Sequence, residues 1–211
     1  PFVSLPGDWP SFLASRGIST QRNMKYYSNR LTKKFRFEFV ALTEPEEILR
    51  ELPEFFRLYA KRFADVPELI GAEYEGFRRH VAGLFAKNGW LVLFVVKLDG
   101  RAVAAEFGLR GDGTLYAYNA CYDADWSREG TTLVLQGRIL EYAINAGFRE
   151  YNFLRGEEPY KAHWATDTRQ QYALHLRQRT WRVRMIEGGR TVRELAARGG
   201  LGTSGGAGEQ R

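Results

Sequence analysis

Residues 114–164 read TLYAYNACYDADWSREGTTLVLQGRILEYAINAGFREYNFLRGEEPYKAHW, and their pattern decides the fold. Residues 114–121 are rich in aromatic and small residues, with two tyrosines at a spacing of two, which predicts a strand. Apolar residues then recur at helical spacing over residues 131–146, and Gly147 is suited to the left-handed conformation that ends many helices. Residues 148–154 predict a second strand. This order predicts a βαβ unit whose two strands run parallel.

Further strands are predicted immediately before this unit. Residues 90–97 are nearly all apolar, so they should be covered on both faces of a sheet. Asp99-Gly100 is a strong signal for a two-residue hairpin into residues 101–109, and a second glycine-rich turn follows at residues 111–113. Together with the βαβ unit, these strands predict an α/β fold with one mixed central sheet flanked by helices.

The N-terminal part of the chain predicts mostly helices. Asp8 is suited to cap a helix that begins at Trp9, and further helical patterns cover residues 19–33, 43–63 and 72–87. Pro53 should divide the third of these into two pieces, because proline lacks the backbone N–H that a helix interior needs. The alternation in residues 35–40 predicts a half-buried strand.

Composition limits the class of protein. The 211 residues are 44% hydrophobic, which is enough for a substantial core, and no apolar run approaches the roughly 20 residues that a membrane helix needs. A net charge of +6 favours anionic partners such as phosphates or nucleic acid without choosing among them. The single cysteine excludes an intramolecular disulfide, and no Cys/His cluster has zinc-ligand spacing. We therefore expect a cytoplasmic protein without a metal or tightly bound cofactor.

One motif resembles a known family. The run YNFLRGEEPYKAHW at residues 151–164, downstream of Tyr122-Asp123 and a helix that begins with small residues, resembles the acyltransferases of the CelD/BcsL type from cellulose biosynthesis. These proteins are GNAT-like and related to the FemAB aminoacyl transferases. The resemblance extends from Asp8 to about Tyr172. This chain departs from the family pattern at Asn152, where aspartate is usual, and at Glu129, where proline usually precedes the glycine.

The resemblance implies both a fold and an activity. It implies a GNAT-like domain over residues 1–198, and it implies that the chain is the C-terminal half of a longer protein with two GNAT-like halves. Residues 199–211 are rich in glycine and poor in apolar bulk, which predicts a flexible tail. The implied activity is N-acyl transfer to an amine acceptor, in envelope or exopolysaccharide biosynthesis. The implied donor is either an acyl-CoA or an aminoacyl-tRNA, and the sequence does not separate these two co-substrates.

A donor phosphate site is predicted at the start of the helix that begins near residue 131. Free backbone N–H groups and the positive end of the helix dipole attract anions there, and a glycine permits close approach. The candidate residues are Arg128, Gly130, Thr131 and Thr132. A capped helix that binds nothing would show the same pattern. We expect Gly130→Val to weaken donor binding while leaving folding nearly intact.

Lys161 is the first candidate for catalysis. A cation between Tyr160 and Trp164 can stabilise an oxyanion or bind a phosphate, and the matching lysine of Fem-type proteins faces the reacting centre. The alternative is a lysine whose stem only covers apolar surface. Tyr160, Trp164 and Arg155 are expected to contact substrate.

Asp123 is the second catalytic candidate. It directly follows a predicted strand and could accept a proton from the amine, or it could only cap the turn that follows. Cys121 has no histidine in a suggestive motif nearby, so it is interpreted as a small core residue rather than a nucleophile.

A non-catalytic basic module that binds nucleic acid or an anionic polymer is the second functional hypothesis. It would use two groups of basic residues, namely Arg22, Lys25, Lys33, Lys34 and Arg36 near the start and Arg177, Arg179, Arg182 and Arg184 near the end. Binding of this kind should weaken steeply as salt rises, whereas donor turnover should depend on Lys161.

Overall fold

Six strands form one sheet in the computed structural model, which describes residues 1–66, 69–156 and 158–172. Residues 1–169 constitute one structural unit and residues 170–211 another. The fold below is that of the first unit. The predicted glycine-rich tail at 199–211 and the basic residues from Arg177 to Arg184 lie outside the described residues.

The helices and strands follow one another in a mixed order. In chain order they are β1 (Phe2–Ser4), α1 (Trp9–Ala14), α2 (Ile18–Lys34), β2 (Phe37–Leu42), α3 (Pro45–Arg62), α4 (Ala72–Lys87), β3 (Leu91–Leu98), β4 (Arg101–Gly111), β5 (Thr114–Tyr122), a 3-10 helix (Ala124–Glu129), α5 (Thr131–Asn145), β6 (Glu150–Asn152) and α6 (Pro159–Ala162).

The sheet has the strand order β1-β6-β5-β4-β3-β2. Strands β2 to β5 form an antiparallel meander, and β1 pairs antiparallel with β6. The β5–β6 pair is parallel, because α5 returns the chain to the starting edge between them. This is the predicted mixed sheet, with the βαβ unit in the predicted place.

Helices cover both faces of the sheet and create two cores. Alternate residues of β3 point to opposite faces, so Val92 and Phe94 belong to one core and Leu93 and Val95 to the other. The first core is completed by residues of α1, α2 and α5, and the second by residues of α3 and α4. As predicted, β3 is covered on both sides.

The predicted turns are confirmed by backbone geometry. Asp99 and Gly100 have φ values of 51° and 82°, and Asp112 and Gly113 have 51° and 75°. Positive φ at both central residues is the requirement of a two-residue hairpin turn whose twist matches that of its strands. Asp8 caps α1, because its side chain accepts a hydrogen bond from the backbone N–H of Ser11 at 2.8 Å.

Two predictions about element boundaries were wrong. Pro53 does not divide its helix, because α3 is continuous from Pro45 to Arg62. Pro53 is on the exposed side, while Leu52, Phe55 and Phe56 are buried around it, so packing outweighs the lost backbone hydrogen bond. The second strand of the βαβ unit is also shorter than the predicted 148–154, and β1 was not predicted at all.

None of the helices in the described part of the chain combines the length and the apolar character needed to cross a membrane.

Candidate active site

Strands β5 and β6 separate after a short stretch of pairing. Their ladder contains only three pairs, which end at Tyr116 and Asn152. Beyond this ladder, β5 continues to Tyr122, and Tyr118 is an extra residue in a bulge against β4. The segment after β6 turns away from β5 at Leu154, which has a φ of 58°. The two strands therefore open into a wedge within the sheet.

A cavity of about 640 Å³ fills this wedge. That volume lies within the range of small-molecule sites. Its walls come from β5, the first turns of α5, the end of α3 and the segment after β6. The lining residues include Arg62, Phe63, Glu106, Tyr122, Thr132, Leu133, Gln136, Arg155, Glu158, Tyr160, Lys161 and Trp164.

Glu106 of β4 is a buried carboxylic acid in this cavity. Only 3% of its surface is exposed, and the Tyr151 hydroxyl donates a hydrogen bond to its Oε1 at 2.6 Å. Burial raises the pKa of Glu106 from its ordinary value of 4.5 to about 7, against the opposing effect of that hydrogen bond. A carboxylate with a pKa near neutrality is suited to take up a proton at physiological pH.

The sequence prediction missed Glu106, although a signal was present. Glu106 is the only charged residue in the otherwise apolar run of residues 102–109. Glutamate is very rarely fully buried without a partner, so a glutamate inside a central strand is itself an indication of function.

A second buried polar group lies beside this pair. Gln136 of α5 is 6% exposed, and its side-chain amide approaches the Tyr151 hydroxyl. Among the described residues, its Nε2 has no hydrogen-bond acceptor within bonding geometry. An unpaired buried amide donor costs about 1–3 kcal/mol, so a ligand oxygen in the cavity would gain from binding it.

Lys161 is buried in the cavity wall, with 4% of its surface exposed. Its Nζ donates to the backbone carbonyl of Arg155 at 2.7 Å and forms an ion pair with Glu158 Oε2 at 2.8 Å. Its hydrogen bond to Glu158 lowers the pKa of that carboxyl. Lys161 thus secures the loop after β6 from the cavity wall, and its role in the reaction stays a prediction.

The predicted substrate contacts differ in burial. Trp164 is 1% exposed and stacks on Phe12 with ring centroids 6.4 Å apart, so it forms part of the first core as well as the cavity wall. Tyr160 is 47% exposed, and partial burial raises the pKa of its hydroxyl to about 12. Arg155 is exposed along the lining. All three predicted residues therefore border the same cavity as Lys161.

The predicted phosphate site is at the start of α5, but only Thr132 among its residues lines the cavity. Gly130 precedes the helix with a φ of 73°, and a Cβ there would lie 2.4 Å from the Tyr27 ring. The expectation that Gly130→Val leaves folding intact is therefore wrong, because both backbone and packing require glycine. Thr131 is fully buried, and Arg128 is exposed.

The negative charge of Glu129, just before α5, is paired with basic residues. Glu129 forms ion pairs with Arg30 at 2.6 Å and with Lys34 at 3.3 Å, both from α2. The hydrogen bond from Arg30 lowers the pKa of Glu129 to about 2. The acidic residue that replaces the usual proline is thus neutralised by α2.

Asp123 lies away from the cavity lining. Its carboxylate is fully buried, forms ion pairs with Lys61 at 2.5 Å and Arg101 at 3.2 Å, and accepts from the Asp125 backbone N–H at 3.1 Å. Burial alone would raise the pKa of Asp123, but the hydrogen bonds from Lys61 and Asp125 outweigh burial and lower it. This geometry favours the turn-capping alternative over proton acceptance.

Cys121 is 1% exposed, and its sulfur lies 3.7 Å from the backbone carbonyl oxygen of Phe55. Burial raises the pKa of this thiol far above its ordinary value. A thiol held neutral in this way is a poor nucleophile. The interpretation as a small core residue is confirmed.

The sequence of this chain matches one class of enzyme. Residues 19–162 match the family model described as an acetyltransferase (GNAT) domain. The matched region is well over half of the chain, and the chain therefore belongs to this acyltransferase family. No curated protein sequence matches the chain.

Solved structures share the fold at low sequence identity. FemX has a TM-score of 0.54 at 10% identity, over 88% of this chain and 57% of FemX. A predicted acetyltransferase from Clostridium acetobutylicum with acetyl-CoA has a TM-score of 0.52 at 11% identity, over 66% and 96% of the two chains. An aminoglycoside acetyltransferase from an uncultured soil metagenomic sample, in complex with trehalose, has a TM-score of 0.50 at 17% identity, over 68% and 97%. The chain thus spans little more than half the length of FemX.

Proposed function

We propose that this chain is an N-acyltransferase in which Glu106 accepts the proton of the attacking amine. The observation that carries the proposal is the position of Glu106, which is buried on β4, lines the cavity at the β5–β6 wedge and has a pKa of about 7. The family supplies the reaction class, and Glu106 supplies the group that this reaction needs. Acyl transfer of this kind requires no covalent intermediate on the protein.

The proposed reaction is a direct displacement at the acyl carbon. The amine nitrogen forms a bond to the acyl carbon, Glu106 takes the proton released from the nitrogen, and the bond from the acyl carbon to the donor's sulfur or ester oxygen breaks. Tyr151 holds Glu106 in place through its 2.6 Å hydrogen bond. The ammonium of Lys161 stabilises the negative charge that develops on the acyl oxygen.

We propose that the donor's phosphates bind at the start of α5, through Arg128, Thr132 and the backbone N–H groups of Thr131 and Thr132, next to Gly130, whose own N–H donates to the Ser127 carbonyl at 3.2 Å. Support comes from the exposed guanidinium of Arg128, the left-handed Gly130 and the first helical turn facing the cavity at Thr132. The Clostridium acetobutylicum relative is described with acetyl-CoA, which favours an acyl-CoA donor. The resemblance of residues 151–164 to a family related to the FemAB aminoacyl transferases keeps aminoacyl-tRNA as the alternative co-substrate.

The proposed biological setting follows the CelD/BcsL resemblance of residues 151–164. We place the chain in the cytoplasm, in envelope or exopolysaccharide biosynthesis, as the C-terminal half of a protein with two GNAT-like halves. The 57% coverage of FemX supports that two-half arrangement. Asp123 takes a structural role in this proposal, since its ion pairs with Lys61 and Arg101 anchor the turn before α5.

Glu106→Gln tests the proposed function. The amide keeps the size of the side chain and cannot accept a proton, so we expect single-turnover acyl transfer to fall about a hundredfold or more. Glu38 of β2, which is partly exposed and paired with Arg36 at 3.1 Å, provides the matched control, and Glu38→Gln should transfer normally. Wild-type turnover should rise with pH through about 7 as Glu106 loses its proton, and the variant should lack this rise. A Glu106→Gln enzyme with the wild-type rate and pH profile would refute the role of Glu106.

The pH dependence of stability tests the raised pKa of Glu106 independently of activity. The native state holds the Glu106 proton up to a pH of about 7, whereas the unfolded chain releases it near the ordinary value of 4.5. The contribution of this group to stability is therefore present below pH 4.5 and lost as the pH rises to about 7. Urea unfolding at several pH values should show that Glu106→Gln removes this loss.

A further inference from the structure

Arg62 is a charged cavity residue to which the proposed reaction gives no role. It is the last residue of α3 and lines the cavity together with Phe63 and Tyr122. Its guanidinium carbon lies 4.9 Å from the centroid of the Tyr122 ring and 5.3 Å from that of the Phe63 ring. Cation–π attraction to two rings restricts the side chain, so the orientation of the guanidinium is set in advance of ligand binding.

This stacking leaves the hydrogen-bond donors of Arg62 available. Aromatic rings contact the face of a guanidinium, whereas its five N–H groups lie in the plane and suit a carboxylate or a phosphate. The neighbouring Lys61 behaves differently, since it forms ion pairs with Asp123 and Asp125. In residues 1–66, 69–156 and 158–172, Arg62 forms no ion pair. A basic residue near a helix C-terminus is favoured by the helix dipole whatever its function. The features that indicate a binding role are therefore the stacking of Arg62 on two rings and its place in the cavity wall.

The charges of the surrounding wall leave the positive charge of Arg62 uncompensated. Glu158 is paired with Lys161 at 2.8 Å, and Glu106 is hydrogen-bonded to Tyr151. The two acidic groups among the described lining residues are thus engaged with other partners. Arg62 is exposed, so its N–H groups are accessible to an anion that enters the cavity.

Arg62 enters the cavity from the face of the sheet opposite to α5. The apolar residues of α3 belong to the second core, and those of α5 belong to the first. The cavity connects these faces, because it is lined by Thr132 and Leu133 of α5 as well as by Arg62 at the end of α3. A donor held at the start of α5 therefore leaves the α3 side for the second substrate.

We propose that Arg62 binds an anionic group of the amine acceptor, so that this chain prefers primary amines that carry a carboxylate or a phosphate. The inference rests on the proposed acyl transfer and specifies its acceptor class. A carboxylate and a phosphate both accept two parallel hydrogen bonds from a guanidinium. Arg62 thus selects the acceptor, while Glu106 receives its proton.

Matched pairs of amines test this proposal. Initial rates are measured with glycine against glycinamide, and with glucosamine 6-phosphate against glucosamine, which separates the carboxylate from the phosphate as the source of charge. Binding of the two anionic amines in the absence of donor is measured by calorimetry, so that the result does not depend on turnover. Arg79→Leu is the matched control, because Arg79 also lies over an aromatic ring, Phe56, at 5.2 Å but lies outside the cavity lining.

Wild type should favour the anionic member of at least one pair in kcat/KM, and Arg62→Leu should reduce that preference about tenfold or more. Arg62→Lys should retain part of it, since it keeps the charge and loses the planar fork. The donor KM, the rate with the neutral amines and the behaviour of Arg79→Leu should not change. The proposal is overturned if no pair shows an anion preference in rate or binding, or if Arg62→Leu raises the donor KM instead. If Arg62→Leu still transfers the acyl group with the wild-type preference for anionic amines, only the role of Arg62 is refuted. If wild type transfers to none of the four amines, the proposed function is refuted.

Discussion

The β3–β4 hairpin and the β5–β6 pair belong to one sheet and have opposite properties. All eight residues of β3 pair with β4, and nearly every side chain of β3 is buried in one of the two cores. The β5–β6 ladder has three pairs, and its open end encloses Glu106, Gln136 and Lys161. Long pairing with a single register shift stabilises the first region, while the short pairing of the second leaves space for a cavity and for buried polar groups.

The largest expected effect is a loss of stability on mutation of the β3–β4 region. Leu93 is fully buried in the second core, so Leu93→Ala should lower the free energy of unfolding by about 4 kcal/mol. Leu84 is 50% exposed, and Leu84→Ala should cost far less. Urea denaturation measures both. The activity of the remaining folded Leu93→Ala protein should match wild type, and a specific loss of turnover would contradict the separation of the two regions.

The second largest expected effect is a loss of turnover on mutation of Lys161, beside the β5–β6 pair. Lys161→Met removes the charge and keeps most of the side-chain volume, so single-turnover acyl transfer should fall by roughly a hundredfold, or about 3 kcal/mol. The melting temperature should fall slightly, because the bonds to Glu158 and to the Arg155 carbonyl are lost.

Glu158→Gln separates the two roles of Lys161, since it breaks the ion pair and leaves the ammonium in place. We expect most of the activity to remain in this variant, and Lys161→Arg should recover only part of it because a planar group replaces a compact one. Equal losses of activity in Glu158→Gln and Lys161→Met would show that Lys161 acts only by holding the loop.

The smallest of the expected effects compares two left-handed glycines. Gly130 and Gly147 have φ values of 73° and 78°, but only Gly130 packs against another side chain, the ring of Tyr27. Gly147→Ala should cost about 1 kcal/mol for backbone strain, and Gly130→Ala about 2 kcal/mol because the ring must also move. Thermal unfolding measures both, and Tyr27→Ala should reduce the extra cost. Identical losses would mean that the contact with Tyr27 contributes nothing.

The parts of the fold that the sequence predicted are those specified by local chemistry. Asp99-Gly100 and Asp112-Gly113 predict hairpin turns because few other residues adopt positive φ, and the period of the apolar residues predicts α5. These signals require no knowledge of distant contacts. The order of β3 to β6 then follows from the turns and from the length of the crossover helix.

The parts that the sequence did not predict depend on distant partners. Nothing near Pro53 in the sequence shows that the packing of Leu52 and Phe55 would keep the helix continuous. The alternatives for Asp123 could be weighed only once Lys61 and Arg101 were seen to surround it. Glu106 was detectable as a lone acid in an apolar strand, but its partner Tyr151 lies 45 positions away. Of the residues predicted for catalysis, Lys161 borders the cavity, and its role in the reaction stays a prediction.

The edge strand β1 has a consequence for the order of folding. The backbone N–H of Phe2 donates to the carbonyl of Asp167, and Phe2 accepts from the N–H of Thr166, each at 2.9 Å. At 5–20 residues per second, a ribosome needs on the order of 10 s to synthesise the residues between these partners. Strand β1 is thus synthesised before the other strands of this sheet and is among the last to be completed by its partners. The segment that carries Lys161 lies between β6 and this contact, so the wall of the cavity is complete only when synthesis has passed it.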